Sequence, residues 1–68
     1  MSIAKVIEVL AEGDSIEQAI ENAVKEAGRT VRNIRSVYVA ETQAIVRDGK
    51  IKKYRVNTRL TFVVSDGD

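Results

Sequence analysis

The sequence predicts an α+β domain of β-α-β-β order, in which a three-stranded antiparallel sheet wraps around one amphipathic helix. Three observations support this fold class. The chain opens with β-branched residues, apolar residues then recur at helical spacing, and Asp48-Gly49 divides the remaining β-forming stretch into two arms. Because the chain has 68 residues, it has room for a single domain, residues 1–68.

The first element is a strand over residues 3–11, which read IAKVIEVLA. Its Ile and Val side chains are β-branched and favour extended backbone. The next residues, Glu12-Gly13-Asp14, have the composition of a turn, so we expect the strand to end before them.

A helix follows over about residues 16–31. Ser15 and Gln18 match a capping box, in which the hydroxyl accepts from an unpaired backbone N–H and the amide reaches back. The apolar residues at helical spacing are Ile16, Ala19, Ile20, Ala23, Val24, Ala27 and Val31. The small Ala positions on this face predict close approach of the sheet.

A long hairpin fills residues 34–64, with Asp48 and Gly49 as the two loop residues of a type I′ turn. This register opposes Val37 to Leu60, Val39 to Thr58, Glu41 to Val56, Gln43 to Tyr54 and Ile45 to Lys52 on one face. The other face pairs Ser36 with Thr61, Tyr38 with Arg59, Ala40 with Asn57, Thr42 with Arg55 and Ala44 with Lys53. A β-bulge would shift part of this register.

The length of the hairpin predicts self-association. Each arm of about 14 residues spans roughly 45 Å, whereas a compact globule of this chain length is about 30 Å across. The sheet must therefore curl, or the hairpin tip must reach a neighbouring chain. A core this small is marginal, and the sequence has no Cys or His with which to staple it, which leaves oligomerisation as the common remedy.

The charge and composition of the chain indicate which kinds of partner to expect. Eleven Lys and Arg stand against ten Asp and Glu, and the basic residues form no single run, so we expect neither a nucleic-acid nor a membrane partner. The apolar start is interrupted by Lys5 and Glu8 and does not match a signal peptide. These features predict a cytoplasmic location.

No pattern of catalytic residues stands out, so we expect no enzymatic activity. There is no His, no Cys, no phosphate-binding glycine loop and no nucleophile elbow. The spacings of Glu8, Glu12, Glu41 and Asp48 suggest solvated or interfacial charges. The C-terminal VVSDGD lacks the further oxygen ligands of a calcium loop and is typical of a frayed tail.

The first hairpin arm has an unusual pattern in residues 34–39, IRSVYV. As a plain strand it would put Ile34, Ser36 and Tyr38 on one face, so that neither face is cleanly apolar or polar. For an isolated sheet such a face would be exposed to solvent. The small residues along this arm instead suit a subunit contact that leaves room for a ligand.

Four segments resemble the dodecin family: KVIEV, AIENAVKEA, RTVRNIRSVYVAE and DGKIKKYRVNTRLTFVV, which together run from Lys5 to Val64. The resemblance implies a hollow homododecamer of β-α-β-β subunits. It also implies storage or quenching of bound flavins, riboflavin or FMN, without turnover.

In that family a flavin lies where two hairpins meet across a two-fold axis, with a Trp stacked on its ring and a Gln at its polar edge. These positions fall on Ser36 and Arg55, and both depart from the pattern. Glu41 matches an acidic position near the site; the simple register turns it inward, and a bulge or the curl of the sheet would have to reconcile the two. Tyr38 lies on the same face as Ser36, two residues further on, where it could stack in a shifted pose. The resemblance therefore implies Ser36, Tyr38, Glu41 and Arg55 as cofactor-binding residues.

Two function classes follow from these departures. The first is a binding protein for a flavin or another planar anion, for which Arg55 offers a guanidinium that stacks or pairs with phosphate. The second is a flavin-free assembly with a structural or calcium-binding role. A Trp-free branch of the family is associated with calcium and is closer at the substituted positions, but the sequence points to no metal site.

Overall fold

The computed structural model describes residues 3–65 and confirms the predicted fold. In chain order it consists of strand β1 (Ile3–Gly13), helix α1 (Ile16–Ala27), strand β2 (Ile34–Arg47) and strand β3 (Lys50–Ser65). The three strands form one antiparallel sheet in the order β1-β3-β2. The long central strand β3 is therefore paired on both sides, while the helix packs mainly on β1 and β3.

Helix α1 starts as predicted and ends earlier. Ser15 Oγ accepts from the backbone N–H of Gln18 at 3.0 Å. The side-chain amide of Gln18 does not reach back but donates forward to Asn22. The helix ends at Ala27 rather than near residue 31. Gly28 and the β-branched residues after it are weak helix formers, so the chain closes with tighter three-residue turns.

The chain between the helix and β2 is redirected at Asn33, which has a φ of 61° in the left-handed region that Asn tolerates better than most residues. Strand β1 is also longer than predicted and includes Glu12 and Gly13. These two residues pair with Arg55 and Tyr54 of β3. Pairing with a long neighbouring strand outweighs their turn-like composition.

The core lies between α1 and the sheet. The helix contributes three buried alanines, Ala19, Ala23 and Ala27, and β3 contributes Val56, Leu60 and Phe62. Thr58 is fully buried among them, and its hydroxyl donates to the carbonyl of Val9 at 2.7 Å. The buried hydroxyl is therefore paired, as a polar group in a core must be.

Gly13 gives a test of how closely helix and sheet approach. A Cβ at this position would lie 2.7 Å from the backbone N of Ala19. We expect Gly13→Ala to lower the free energy of unfolding by about 1–3 kcal/mol, because backbone atoms cannot move aside cheaply. Gly28→Ala is the matched control, since its Cβ would meet only Val24 O at 3.3 Å and Lys25 O at 3.5 Å. Equal urea midpoints for the two variants would contradict this packing.

The hairpin turn is the predicted type I′ turn. Asp48 and Gly49 have φ values of 55° and 75°, and Arg47 pairs with Lys50. Both central residues lie in the left-handed region, as this turn requires. The next pairs away from the turn, however, depart from the simple register.

Bulges shift the middle of the hairpin. Ala40 is an extra residue in β2, and Lys52 is an extra residue in β3 that restores the count before the turn. The predicted pairs Val37–Leu60, Val39–Thr58, Ser36–Thr61 and Tyr38–Arg59 are confirmed. The partners on β3 that were predicted for residues 40–45 of β2 are wrong. In the structure Glu41 opposes Asn57, Thr42 opposes Val56, Gln43 opposes Arg55, Ala44 opposes Tyr54 and Ile45 opposes Lys53.

A further bulge at Arg35 explains the mixed pattern of residues 34–39. Ile34 pairs with Phe62, whereas Ser36 pairs with Thr61, so the two side chains lie on opposite faces. Ile34 is half-buried on the helix side, and Ser36 is exposed. The prediction that Ile34 shares a face with Ser36 is therefore wrong.

The chain is elongated, with extents of 54 × 19 × 14 Å and a radius of gyration of 14.1 Å. A compact chain of this length would have a radius of gyration near 11 Å. The far end of the hairpin extends beyond the helix, and its apolar residues Val46 and Ile51 are exposed.

Within residues 3–65, no helix combines the length and the apolar character needed to cross a membrane. The frayed tail predicted for VVSDGD, residues 63–68, is wrong for residues 63–65, which belong to β3 and pair with β1. Residues 66–68 lie outside the described residues.

Candidate functional site

The candidate site is the sheet face that points away from α1, which we call the outer face. Each row across the sheet contributes one residue from each strand, in the order β1, β3, β2. The rows are Val6–Thr61–Ser36, Glu8–Arg59–Tyr38, Leu10–Asn57–Glu41 and Glu12–Arg55–Gln43, followed by Lys53–Ile45 near the hairpin end. Alternation along β3 sets this arrangement, because the residues between these positions face the helix.

All four sequence-predicted site residues lie on the outer face. Ser36, Tyr38 and Glu41 are exposed, and Arg55 is half-buried. Glu41 faces outward because of the bulge at Ala40; in the simple hairpin register it would have faced the helix. The bulge thus places this carboxylate on the same face as Ser36, as the sequence analysis required of any site that uses both.

Apolar side chains are exposed on the outer face of a single chain. Val6 is 59% exposed, Leu10 62% and Tyr38 63%. The Arg59 guanidinium carbon lies 6.0 Å from the centre of the Tyr38 ring, at the outer limit of a cation–π contact. A flat apolar ligand or another protein surface would find an aromatic ring and two aliphatic side chains here.

The most tightly bonded group on this face was missed by the sequence analysis. Glu12 Oε2 accepts from Arg55 Nε at 2.9 Å and from Arg55 Nη2 at 2.6 Å. Glu12 Oε1 lies 2.7 Å from Lys53 Nζ. We call Glu12, Lys53 and Arg55 the ion-pair cluster. The sequence analysis assigned Glu12 to a turn, and only the longer β1 of the structure brings Glu12 beside Arg55.

Within the ion-pair cluster, the carboxylate partner of Arg55 is Glu12 from β1. Glu41 lies in the next row, beside Asn57. Hydrogen bonds from Lys53 and then from Arg55 hold the pKa of Glu12 below its ordinary value. The carboxylate is therefore ionised at neutral pH and stays paired with both cations.

The lowered pKa predicts a pH dependence of stability. Because the folded-state pKa of Glu12 lies below its unfolded value, its contribution to stability is present above about pH 4.3, the ordinary Glu pKa. That contribution is lost as the pH falls through the lowered value. We expect the urea midpoints of wild type and Glu12→Gln to differ at pH 7 and to converge in acid. A midpoint difference that stays constant down to pH 2 would contradict the assignment.

Ser36 and Arg55 do not meet within one chain. Their rows are six residues apart along β3, from Thr61 to Arg55, which corresponds to about 20 Å. Any site that uses both residues on one small ligand must take them from two chains.

Two further features bear on ligands. Asn57 Oδ1 is buried with no hydrogen-bond donor among the described residues. An open concavity of about 480 Å³ lies at the hairpin end and is lined by Arg47, Asp48, Lys50, Ile51 and Lys52. It is therefore distant from Ser36, which lies near the other end of β2. Residues 3–65 contain no group of three or more acidic, His or Cys side chains arranged to hold a metal ion.

The chain is similar to one known protein family, both in sequence and in structure. The dodecin family model matches residues 3–65. The dodecin from Streptomyces coelicolor is 27% identical, with a TM-score of 0.88 over 97% of this chain and 96% of that one. The dodecin from Streptomyces davaonensis is 23% identical, with a TM-score of 0.89 over 96% and 97%. A mutant of the Thermus thermophilus dodecin is 22% identical, with a TM-score of 0.89 over 97% and 98%. None of the curated proteins compared with the sequence matches it.

Proposed function

This chain belongs to the dodecin family, and from that premise we propose that it forms a hollow homododecamer that binds a flavin, riboflavin or FMN, without turning it over. The ligand lies where the outer faces of two chains meet across a two-fold axis. Ser36, Tyr38, Glu41 and Arg55 line it.

The exposed apolar side chains on the outer face are the observation that carries the proposal. Leu10 and Tyr38 are each more than 60% exposed in a single chain. Several large apolar side chains left uncovered on one sheet face are a common mark of a contact surface. Because the same face holds all four ligand residues, one contact between two chains buries it and forms the site.

The spacing along the sheet supports a site shared by two chains. Ser36 and Arg55 are about 20 Å apart within one chain. A two-fold axis between them brings Ser36 of one chain towards Arg55 of the other, so that one planar molecule contacts both. Two such ligand positions then arise from each pair of chains.

The residues present can hold a flavin if the ring stacks on Tyr38 instead of on a side chain at position 36. Ser36 provides space but no ring, so the stacking surface is the Tyr38 ring, which is exposed and has Arg59 near one side.

A flavin-free assembly with a structural or calcium-binding role is the second candidate, and the Ser36 position favours it. Stacking contributes about 0.5–1.5 kcal/mol per aromatic pair beyond area burial, and Ser36 supplies none of it. Since residues 3–65 of one chain hold no metal-binding group of three acidic residues, calcium would require ligands from several chains or from outside that range.

A titration of purified wild type distinguishes the two candidates. Quenching of riboflavin or FMN fluorescence on addition of protein supports the flavin proposal. A colourless protein that quenches neither flavin, and whose melting temperature rises with calcium, supports the second candidate.

The net charge of +1 and the absence of Cys support a cytoplasmic protein with no nucleic-acid or membrane partner.

A further inference from the structure

We propose that Glu12 determines the charge selectivity of the outer face, so that the site takes an uncharged planar ligand in preference to its phosphate ester. Glu12 acts as a positioning residue: it holds the cations Arg55 and Lys53 and keeps them from a ligand anion. This inference rests on the proposed function for the identity of the planar ligand. The anion selectivity itself can be tested without a flavin.

Glu12 contacts both cations of the ion-pair cluster at once. One carboxylate oxygen accepts both Nε and Nη2 of Arg55, and the other lies 2.7 Å from Lys53 Nζ. A phosphate that binds the Nε–Nη2 edge of Arg55 would need the same two N–H groups, since Arg binds phosphate through two parallel hydrogen bonds. Glu12 therefore competes with a phosphate for this edge of Arg55, and its negative charge repels a phosphate from the other N–H groups.

The position of the ion-pair cluster makes this competition relevant to ligands. Lys53 and Arg55 lie two residues apart on the outer face of β3, and their side chains are each 40% exposed. A ligand on the outer face can thus reach both cations. With Glu12 neutralised, two cations remain without a carboxylate, which is an arrangement that attracts a phosphate group.

The chain supplies a matched control in Glu8. This residue lies on the same strand and the same face, two positions before Leu10, and is exposed. Glu8 opposes Arg59 across the sheet and forms no ion pair within residues 3–65. Glu8→Gln and Glu12→Gln change the net charge equally, but only Glu12→Gln releases Arg55 and Lys53.

The experiment is calorimetric titration of inorganic pyrophosphate into wild type, Glu12→Gln, Glu12→Asp and Glu8→Gln at low ionic strength. We expect Glu12→Gln to bind roughly fivefold more tightly or better, the factor that one unit charge about 4 Å away exerts in water. Glu12→Asp keeps the charge and should stay near wild type, as should Glu8→Gln. The gain should disappear in Glu12→Gln/Arg55→Gln and should shrink as salt is added.

An equal gain in Glu8→Gln and Glu12→Gln would overturn the inference, because it would reflect net charge alone. No gain in a folded Glu12→Gln would overturn it as well. If Glu12→Gln does not fold, Gln43→Glu provides the opposite test in a folded chain, since Gln43 is exposed and opposes Arg55. A second carboxylate there should weaken pyrophosphate binding, and unchanged binding would contradict the inference.

A titration with flavins separates this inference from the proposed function. In a Ser36→Trp background, Glu12→Gln should raise the affinity for FMN relative to riboflavin, and Glu8→Gln should leave the ratio unchanged. A gain in pyrophosphate binding with no flavin binding in any variant would refute the proposed function and leave the role of Glu12 intact. Flavin binding with an unchanged ratio would refute the role of Glu12 alone.

Discussion

Ser36→Trp should bind riboflavin and FMN at least about tenfold more tightly than wild type, at about 1.4 kcal/mol for each tenfold step. Ser36 is exposed on the outer face, so an indole can be added there without disturbing the core. The indole supplies a flat surface for stacking, worth about 0.5–1.5 kcal/mol beyond the area that it buries. Fluorescence quenching during separate titrations with each flavin measures the change.

Ser36→Leu is the control for this variant, because it adds apolar area without an aromatic face. The Leu variant should bind flavins more weakly than the Trp variant. If wild type binds as tightly as Ser36→Trp, Ser36 is no defect, and Tyr38 or Arg55 supplies the stacking surface. If no variant binds flavin although all of them assemble, the flavin-free candidate is the correct one.

The largest loss of stability is expected for Leu60→Ala. Leu60 is completely buried at the centre of β3, between Ile7 of β1 and Val37 of β2. Truncation of a buried Leu costs about 2–5 kcal/mol, which includes the cavity that it leaves. The whole stability of a chain of this length is only about 3–10 kcal/mol. Urea denaturation at a fixed protein concentration should therefore show a much lower midpoint or an unfolded variant.

Leu10→Ala is the comparison for Leu60→Ala, because it removes the same atoms from the outer face. Leu10 is 62% exposed within one chain, so only contact with another chain can make its loss costly. We expect a smaller decrease in the midpoint than for Leu60→Ala. A Leu60→Ala variant as stable as wild type would contradict the assignment of the core.

The main elements of the fold could be predicted because each has a local signal. Asp48-Gly49 specifies a turn through its backbone preferences, and Ser15 marks a helix start through its hydroxyl. The helical spacing of the alanines identified the buried face of α1. These features depend on neighbouring residues alone and are therefore visible in the sequence.

The bulges and the ion-pair cluster were not predictable in the same way. A bulge at Ala40 depends on how β2 and β3 twist against each other, and no residue type requires it. Counting outward from the turn therefore placed Glu41 on the wrong face. Glu12 joins Arg55 only through strand pairing between residues that are 43 positions apart in the sequence. The four proposed ligand residues were found through the family resemblance, not through a local pattern.

The central claim is that twelve copies of this chain assemble through their outer faces, and the mass of the protein in solution tests this assembly most directly. Twelve chains of 7.5 kDa correspond to about 90 kDa. We predict that light scattering coupled to size exclusion at micromolar concentration gives a single species of that mass. A monomer or a simple dimer under these conditions would contradict the account.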